Sequence, residues 1–279
     1  MSILFYGNCQ TYAIADMLLI DNYKLYKIEC HNTDITENEF KNIINECDII
    51  ITQQISETYK NKHYLSTKFI VDNINSNAIV IIIDSCYFNF YYFDLTYKDI
   101  DGTILHKPAD YHYNKLIECY KNNFSKDYYV NNFVNNVNLL TSEDLDKIAQ
   151  ESLDNLHDRF FKTTNKYKTN TQIYIISSYD YIKENFKNKL LFYSMNHPSK
   201  YLLQYICEEI VKIAMNIKKI SCTINYDIDP LSNPKCILYK CIQNVVNFDI
   251  NTIEPLLDNT NTVDKIIDIY YNTYSQINL

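Results

Sequence analysis

The first 83 residues alternate short apolar runs with amphipathic stretches, and no other feature constrains the fold of this chain as strongly. The apolar runs have the length of strands, and the stretches between them carry apolar residues at helical spacing. This alternation is typical of a parallel sheet that is covered by helices on both faces. We therefore predict an α/β fold with strands over residues 3–6, 23–28, 48–52 and 78–83, and helices over 11–20, 37–47 and 67–74.

Polar residues follow several of these strands at the point where each strand ends. Gly7–Gln10 follow the first strand, Gln53 follows the third, and a further segment begins after Ile83. In parallel sheets, ligands bind beyond the carboxyl ends of the strands. We therefore expect these three segments to converge and to form the site.

Gly7 is one of only two glycines in the chain, and it stands between the first strand and a helix-like stretch. Glycine permits a tight turn or the close approach of a ligand. Cys9 opens the helix, where unpaired backbone amides carry partial positive charge. We expect these amides to lower the pKa of the Cys9 thiol and, with the side chains of Asn8 and Gln10, to bind an oxyanion. A buried structural cysteine is the alternative interpretation.

The rest of the chain is predicted to be mainly helical, with a less regular pattern after about Lys219. We expect an α/β catalytic domain over 1–218 and a mainly helical extension over 219–279. The predicted elements are helices over 115–123, 142–163, 180–186, 199–215, 237–248 and 263–274, and strands over 173–176 and 190–194.

His197 lies in Asn196-His197-Pro198, between the last predicted strand and a helix. A histidine on such a turn can face a cleft and act as a general base, with a capping or core histidine as the alternative. Arg159 is the only arginine, and its planar fork suits phosphate or carboxylate, although this residue taken alone favours an ordinary ion pair on the helix surface with Asp158 or Asp154. Tyr111-His112 and the aromatic segment 89–94 are weaker candidates for a ligand pocket.

Composition excludes several classes of function. A net charge of −8 argues against nucleic-acid binding, and no apolar run is long enough to span a bilayer. The nine cysteines lack the spacing of a zinc site, so no metal is predicted. With no signal peptide at the start, we expect reduced thiols and a cytoplasmic protein. The sequence leaves open whether the chain forms a homo-oligomer.

Taken in order, these motifs resemble the WcbI family of polysaccharide-biosynthesis acetyltransferases over roughly residues 1–215. The pair formed by Gly7-Asn8-Cys9-Gln10 and Asn196-His197-Pro198 carries most of the resemblance. It is supported by residues 48–53, 93–95, 110–112, 157–159 and 191–195.

The resemblance implies an SGNH-hydrolase-like architecture and transfer of an acetyl group from acetyl-coenzyme A to a sugar or nucleotide sugar. The family's cysteine, the glutamine after the later strand and the Asn-His-Pro histidine correspond to Cys9, Gln53 and His197. Cys9 would be the nucleophile, and His197 would accept a proton from the thiol or the sugar. Direct transfer, with His197 activating the acceptor and Cys9 only positioning it, is equally compatible with the sequence. In either case Asn8, Gln10 and Gln53 would help to hold the oxyanion. Contacts with coenzyme A are then expected from Gly7, Tyr111, His112, Arg159 and Asn196.

The chain departs from the family pattern in two places. Residues 90–94 read Phe-Tyr-Tyr-Phe-Asp where relatives commonly read Gly-Tyr-His-Pro-Asp, and no aspartate stands three residues before His197. An acyl-ester hydrolase that uses the same residues without coenzyme A, and a non-catalytic glycan-binding protein, therefore stay open as alternatives.

Overall fold

The computed structural model describes residues 2–97, 108–233, 236–248 and 263–276. The chain forms two compact units, each assembled from separate segments. The first comprises Met1–Cys86, Leu153–Glu184 and Pro198–Leu231, and the second comprises Tyr87–Ser152, Asn185–His197 and Ser232–Leu279. The boundary predicted after residue 218 stays a prediction.

The strands and helices are named in chain order. The strands are β1 Ser2–Gly7, β2 Leu18–Leu19, β3 Lys24–Glu29, β4 Ile49–Gln53, β5 Ile79–Ile83, β6 Leu95–Thr96, β7 His112–Tyr113, β8 Ile173–Ile176 and β9 Thr223–Ile224. The helices are α1 Cys9–Met17, α2 Glu37–Glu46, α3 Thr67–Asn73, α4 Asn114–Lys121, α5 Lys126–Tyr129, α6 Ser142–Tyr167, α7 Tyr179–Asn185, α8 Lys200–Lys218 and α9 Val263–Gln276.

A five-stranded parallel sheet in the order β3-β1-β4-β5-β8 forms the centre of the first unit, which confirms the predicted α/β fold. One face carries Leu4 and Tyr6 of β1 and packs against Phe40 of α2 and Ile70 of α3. On the other face, α1 contacts β1, β3 and β4 and packs against α8. The inner strands β1, β4 and β5 are buried on both faces because both are covered, as in other parallel sheets, whereas the edge strand β3 is partly exposed.

The second unit is built mainly from helices and irregular segments that are rich in buried aromatic residues. Its short strands β6 and β7 pair antiparallel, and α4 and α5 pack against α9. A cluster of rings around Phe88 includes Tyr91, Phe186 and Phe192, with ring centroids 5.4–5.9 Å apart. The packing of large side chains, rather than a regular sheet, accounts for this unit.

Three predicted elements are wrong in type or length. Residues 190–194 do not form a strand, because Leu191 and Phe192 are buried side chains of the second unit rather than members of the sheet. The helix predicted over 237–248 is reduced to a short 3-10 helix at Lys240–Asn244. Helix α1 ends at Met17, since Leu18 and Leu19 pair with β9.

Within the described part of the chain, every helix is too short or too polar to cross a membrane. Nor do the described residues include a group of three or more histidine, cysteine or acidic side chains that could hold a metal ion.

Candidate active site

The strand ends converge at one edge of the sheet in the first unit, as predicted. The backbone N–H of Asn8 donates to the side-chain oxygen of Gln53 at 2.8 Å, and the Gln53 amide donates to the side-chain oxygen of Gln10 at 3.2 Å. The segment after β5 joins through Cys86. Its N–H donates to the Gln10 oxygen at 3.0 Å, and its carbonyl accepts from the Gln10 amide at 2.9 Å. Side-chain amides therefore connect the ends of β1, β4 and β5.

The glutamines in this network have a structural role. Gln10 is 1% exposed and Gln53 is 2% exposed. Because the oxygen of each side chain already accepts a hydrogen bond, each amide is held in one orientation. The oxyanion role assigned to Asn8, Gln10 and Gln53 stays a prediction.

Cys9 is the first residue of α1, as predicted. Asn8 caps the helix, since its side-chain oxygen accepts from the N–H of Gln10 at 2.9 Å and its carbonyl accepts from the N–H of Thr11 at 3.0 Å. Cys9 is half-buried, as is Cys222, whereas the other seven cysteines are buried. Location at a helix start and partial exposure distinguish Cys9 from those seven.

The predicted lowering of the Cys9 pKa is wrong. Burial, with a smaller contribution from the nearby Glu29 carboxylate, raises the pKa of this thiol to about 11. The backbone amides of Cys9 and Gln10 lower the pKa, as expected for a helix start, but they do not outweigh burial. Cys9 is consequently a protonated thiol at neutral pH.

Gly7 is required by the side chains that surround it. A Cβ at this position would lie 2.2 Å from the Thr11 hydroxyl oxygen and 2.7 Å from the Gln53 side-chain oxygen. Any other residue would push against the same amide that holds Asn8. Close approach of protein side chains therefore explains this glycine, and the ligand contact predicted for it stays a prediction.

The polar network continues beyond Cys86 to Asp84. The Cys86 thiol donates to the Ser178 hydroxyl at 3.4 Å, and the Ser178 N–H donates to the Asp84 carboxylate at 2.6 Å. Burial raises the pKa of Asp84 to about 6, although the Ser178 N–H and the charge of Arg159 lower it. Asp84 is thus a carboxyl with a pKa of about 6 at the same edge of the sheet.

A cavity of about 440 Å³ opens beside Asp84, at the ends of β4 and β5. Arg159, Lys162 and Lys166 line it from α6, at the spacing that places side chains on one face of a helix. Arg159 donates to the carbonyl of Ser85 at 3.2 Å, and Lys166 pairs with Glu57, which also lines the cavity, at 2.9 Å. The cavity is lined by Gln54, Ile55, Ser56, Glu57, Ile82, Ile83, Asp84, Ser85, Arg159, Lys162, Thr163, Lys166, Tyr167 and Ile175.

His197 lies in the second unit. Its Nδ1 is 3.0 Å from the carbonyl oxygen of Asn233. A carbonyl can only accept, so Nδ1 carries the proton and Nε2 carries the lone pair of a base. Burial lowers the pKa of His197, against opposing effects of the Asn233 carbonyl and of Asp110, so the ring is neutral at pH 7.

Tyr111 and Asn196 fix the surroundings of His197. The Tyr111 hydroxyl donates to the Asn196 side-chain oxygen at 2.6 Å, and the Tyr111 ring stands edge-on to His197 with centroids 5.7 Å apart. His112 is fully buried, and its Nδ1 lies 2.8 Å from the Tyr274 hydroxyl. This geometry gives His112 a packing role, while the coenzyme contacts assigned to Tyr111, His112 and Asn196 stay predictions.

The predicted site residues therefore divide between the units. The first holds Gly7, Asn8, Cys9, Gln10, Gln53 and Arg159, and the second holds Tyr111, His112, Asn196 and His197. Sequence reasoning missed Asp84 and Asn233. Asp84 directly follows the strand that ends at Ile83, so the rule that pointed to Gln53 would have found it. Asn233 acts through its backbone carbonyl, which leaves no signal in the sequence.

The fold and the strand-end network define the class of this protein as a parallel α/β protein with a cysteine at the start of its first helix. The chain belongs to the family described as polysaccharide biosynthesis enzyme WcbI, whose profile matches residues 2–215. Members of this family are enzymes of polysaccharide biosynthesis, and the resemblance found in the sequence is confirmed.

A solved structure of WcbI, a novel polysaccharide biosynthesis enzyme, has the same fold. It is described as the native protein without a disulfide bond between coenzyme A and one of its cysteines. It is 22% identical to this chain, with a TM-score of 0.72 over 89% of this chain and 80% of the other. Comparison with curated proteins finds no significant match. The SGNH-like relationship stays a prediction.

Proposed function

We propose that this protein transfers an acetyl group from acetyl-coenzyme A to a hydroxyl or amine of a sugar. The observation that carries the proposal is the cavity at the ends of β4 and β5, which Arg159, Lys162 and Lys166 line. Coenzyme A carries phosphate groups that suit such cations. Gln54 lines this cavity, and its neighbour Gln53 holds the turn that presents Cys9. The solved relative whose description mentions coenzyme A supports the same donor.

The protonation states favour direct transfer over an acetyl-cysteine intermediate. A thiol with a pKa of about 11 is a poor nucleophile at neutral pH, because only the thiolate attacks. In the proposed step, the acceptor oxygen or nitrogen attacks the thioester carbonyl carbon while Nε2 of His197 takes its proton. The carbon–sulfur bond then breaks, and the departing sulfur takes up a proton to give the coenzyme A thiol.

The remaining residues position these groups. The N–H of Cys9 is the donor of α1 that we assign to the oxyanion that develops on the carbonyl, because the N–H groups of Gln10 and Thr11 already donate to Asn8. Cys9 positions the donor in this proposal. The nucleophilic alternative is tested by intact-protein mass spectrometry, because acetylation of Cys9 during turnover would replace direct transfer.

Coenzyme binding is the first test. We expect coenzyme A to raise the melting temperature as its concentration exceeds the dissociation constant, and pantetheine, which lacks the phosphates, to have little effect. Lys162→Met should weaken coenzyme A binding about tenfold, since a charge-assisted hydrogen bond contributes ~1.5 kcal/mol. Lys147→Met, an exposed lysine on the same helix that does not line the cavity, is the matched control. Equal binding of pantetheine and coenzyme A would contradict the phosphate assignment, and no binding of either would remove the transferase proposal.

Thiol protection is the second test. Cys9 and Cys222 are the two half-buried thiols, and burial raises the pKa of each to about 11. Both should react slowly with iodoacetamide, ahead of the seven buried cysteines. Coenzyme A should protect Cys9 and leave Cys222 unprotected. Equal labelling of Cys9 with and without coenzyme A would show that Cys9 does not lie at the site where the donor binds.

A further inference from the structure

The last helix, α9, lies outside the family match over residues 2–215, yet it holds Tyr111 and the strand β7, which begins at His112. The Tyr270 hydroxyl donates to the carbonyl of Tyr111 at 2.5 Å, and the Tyr274 hydroxyl lies 2.8 Å from Nδ1 of His112. Tyr270 is 6% exposed and Tyr274 is fully buried. Two buried hydroxyls of one helix therefore fix two consecutive residues of another segment.

The rings repeat these contacts. The Tyr274 ring stacks on His112 with centroids 5.7 Å apart, and the Tyr270 ring stands edge-on to both His112 and Tyr113 at 5.5 Å. Because the hydroxyls and the rings act on the same residues, the position of this segment is strongly determined.

From Tyr111 the contacts continue to His197. The Tyr111 hydroxyl donates to Asn196 at 2.6 Å, and its ring packs edge-on against the His197 ring. Tyr113, in the same segment, is held as well, because its hydroxyl accepts from the N–H of Ile237 at 2.8 Å. One chain of contacts thus leads from α9 through Tyr111 to the ring of His197, whose Nδ1 is held by the carbonyl of Asn233.

We propose that Tyr270 and Tyr274 of α9 are positioning residues for His197, and that the C-terminal segment keeps this histidine in the tautomer with its proton on Nδ1. The inference rests on the proposed role of His197 as a general base. It assigns a function to a part of the chain that the family match does not reach. Tyr270 acts through Tyr111 and Asn196, and Tyr274 acts through His112, the residue next to Tyr111.

The test compares single hydroxyl deletions on one helix. Tyr270→Phe and Tyr274→Phe remove the buried hydroxyls and keep the rings. Tyr271→Phe is the matched control, because its hydroxyl makes an exposed hydrogen bond to the carbonyl of Phe124. The readout is nitrogen NMR of isotope-labelled histidine, with the His197 signals assigned from their loss in His197→Gln. This measurement reports tautomer and pKa without the need for a known acceptor.

We expect the wild type and Tyr271→Phe to show the tautomer with the proton on Nδ1. Tyr270→Phe and Tyr274→Phe should show a mixture, with the pKa of His197 moved upward towards its ordinary value as burial loosens. Turnover of acetyl-coenzyme A should fall about fivefold in both, as loss of a ~1 kcal/mol hydrogen bond predicts, with an unchanged KM for the donor. Tyr111→Phe should reproduce these effects, and its combination with Tyr270→Phe should add little, since both interrupt one route.

The outcomes separate this inference from the function on which it rests. If Tyr270→Phe and Tyr274→Phe lower the melting temperature but leave the His197 tautomer and pKa like those of Tyr271→Phe, α9 is structural only and the inference fails. If His197→Gln keeps normal turnover, the base role itself fails, whatever the tyrosine variants do. If His197→Gln is inactive and the tyrosine variants shift the tautomer, both stand.

Discussion

The two units hold their candidate residues by different means. In the first, hydrogen bonds between side chains at the ends of neighbouring strands fix the turn at Cys9, and Gln53 and Gln10 provide most of them. In the second, His197 is held by the backbone of Asn233 and by the ring of Tyr111, both distant from it in the chain. A regular sheet lets residues near strand ends do the positioning, whereas an irregular unit needs long-range contacts.

The largest effect is expected in the second unit. His197→Gln should lower turnover of acetyl-coenzyme A by about 100- to 10,000-fold, the usual contribution of a positioned base, with little change in the affinity for coenzyme A. Turnover is measured as coenzyme A released, separated by chromatography. His157→Gln, an exposed histidine of α6, is the matched control. Normal turnover per folded molecule in His197→Gln would show that the second unit does not supply the base.

The next effect tests how closely the first unit is packed. Gly7→Ala should lower the free energy of unfolding by roughly 1–3 kcal/mol, as measured by urea denaturation, because the new Cβ overlaps the Thr11 and Gln53 oxygens. Thr11→Ala removes the closer of these atoms, so Gly7→Ala/Thr11→Ala should recover part of the loss. A Gly7→Ala variant as stable as the wild type would mean that the Thr11 and Gln53 side chains can move away from the new Cβ with little loss of stability.

A smaller effect is expected at the cavity. Arg159→Lys keeps the charge but loses the planar fork and its hydrogen bond to Ser85, and we expect coenzyme A to bind about tenfold more weakly. Isothermal titration calorimetry at two salt concentrations measures this change. Unaltered affinity would mean that Arg159 only supports the loop after β5 and that Lys162 and Lys166 are the cations that bind the phosphates.

The smallest effect compares one carboxyl from each unit. Burial raises the pKa of both Asp84 and Asp94 to about 6. Between pH 4 and 6 the folded protein keeps protons that the unfolded chain has lost, so stability falls as pH rises through this window and levels off above it. Asp84→Asn and Asp94→Asn should each make the free energy of unfolding, measured by urea denaturation, less dependent on pH in this window.

Coenzyme A distinguishes the two carboxyls. Asp84 lines the cavity, while Asp94 accepts from the Tyr239 hydroxyl at 2.6 Å and from the N–H of Lys115 at 3.1 Å. Ionised Asp84 repels phosphate. In proteins that retain Asp84, the affinity for coenzyme A should therefore fall from pH 5 to 7 by roughly two- to fivefold more than it does in a protein without this carboxyl. Asp84→Asn should abolish this component and Asp94→Asn should preserve it. The reverse pattern would place the phosphates away from the cavity.

The inner strands β1, β4 and β5 could be predicted because each is a short apolar run whose two faces are buried, and such a run is visible without knowledge of its partners. The positions of the candidate residues near those strands could be predicted for the same reason, since Gln53 is the last residue of β4. The segment 190–194 is equally apolar but forms no strand, because it packs among the aromatic rings of the second unit. Apolar character alone does not reveal which partner a segment will bury against.

The sequence by itself determined the parallel sheet, the start of α1 at Cys9 and the family to which the chain belongs, because these depend on local pattern. Only the tertiary structure decided the protonation of Cys9, since burial and Glu29 outweigh the helix amides. It likewise decided the tautomer of His197, which depends on a backbone carbonyl 36 residues away. Protonation states follow from burial and from neighbours distant in the chain, and neither is encoded near the residue that titrates.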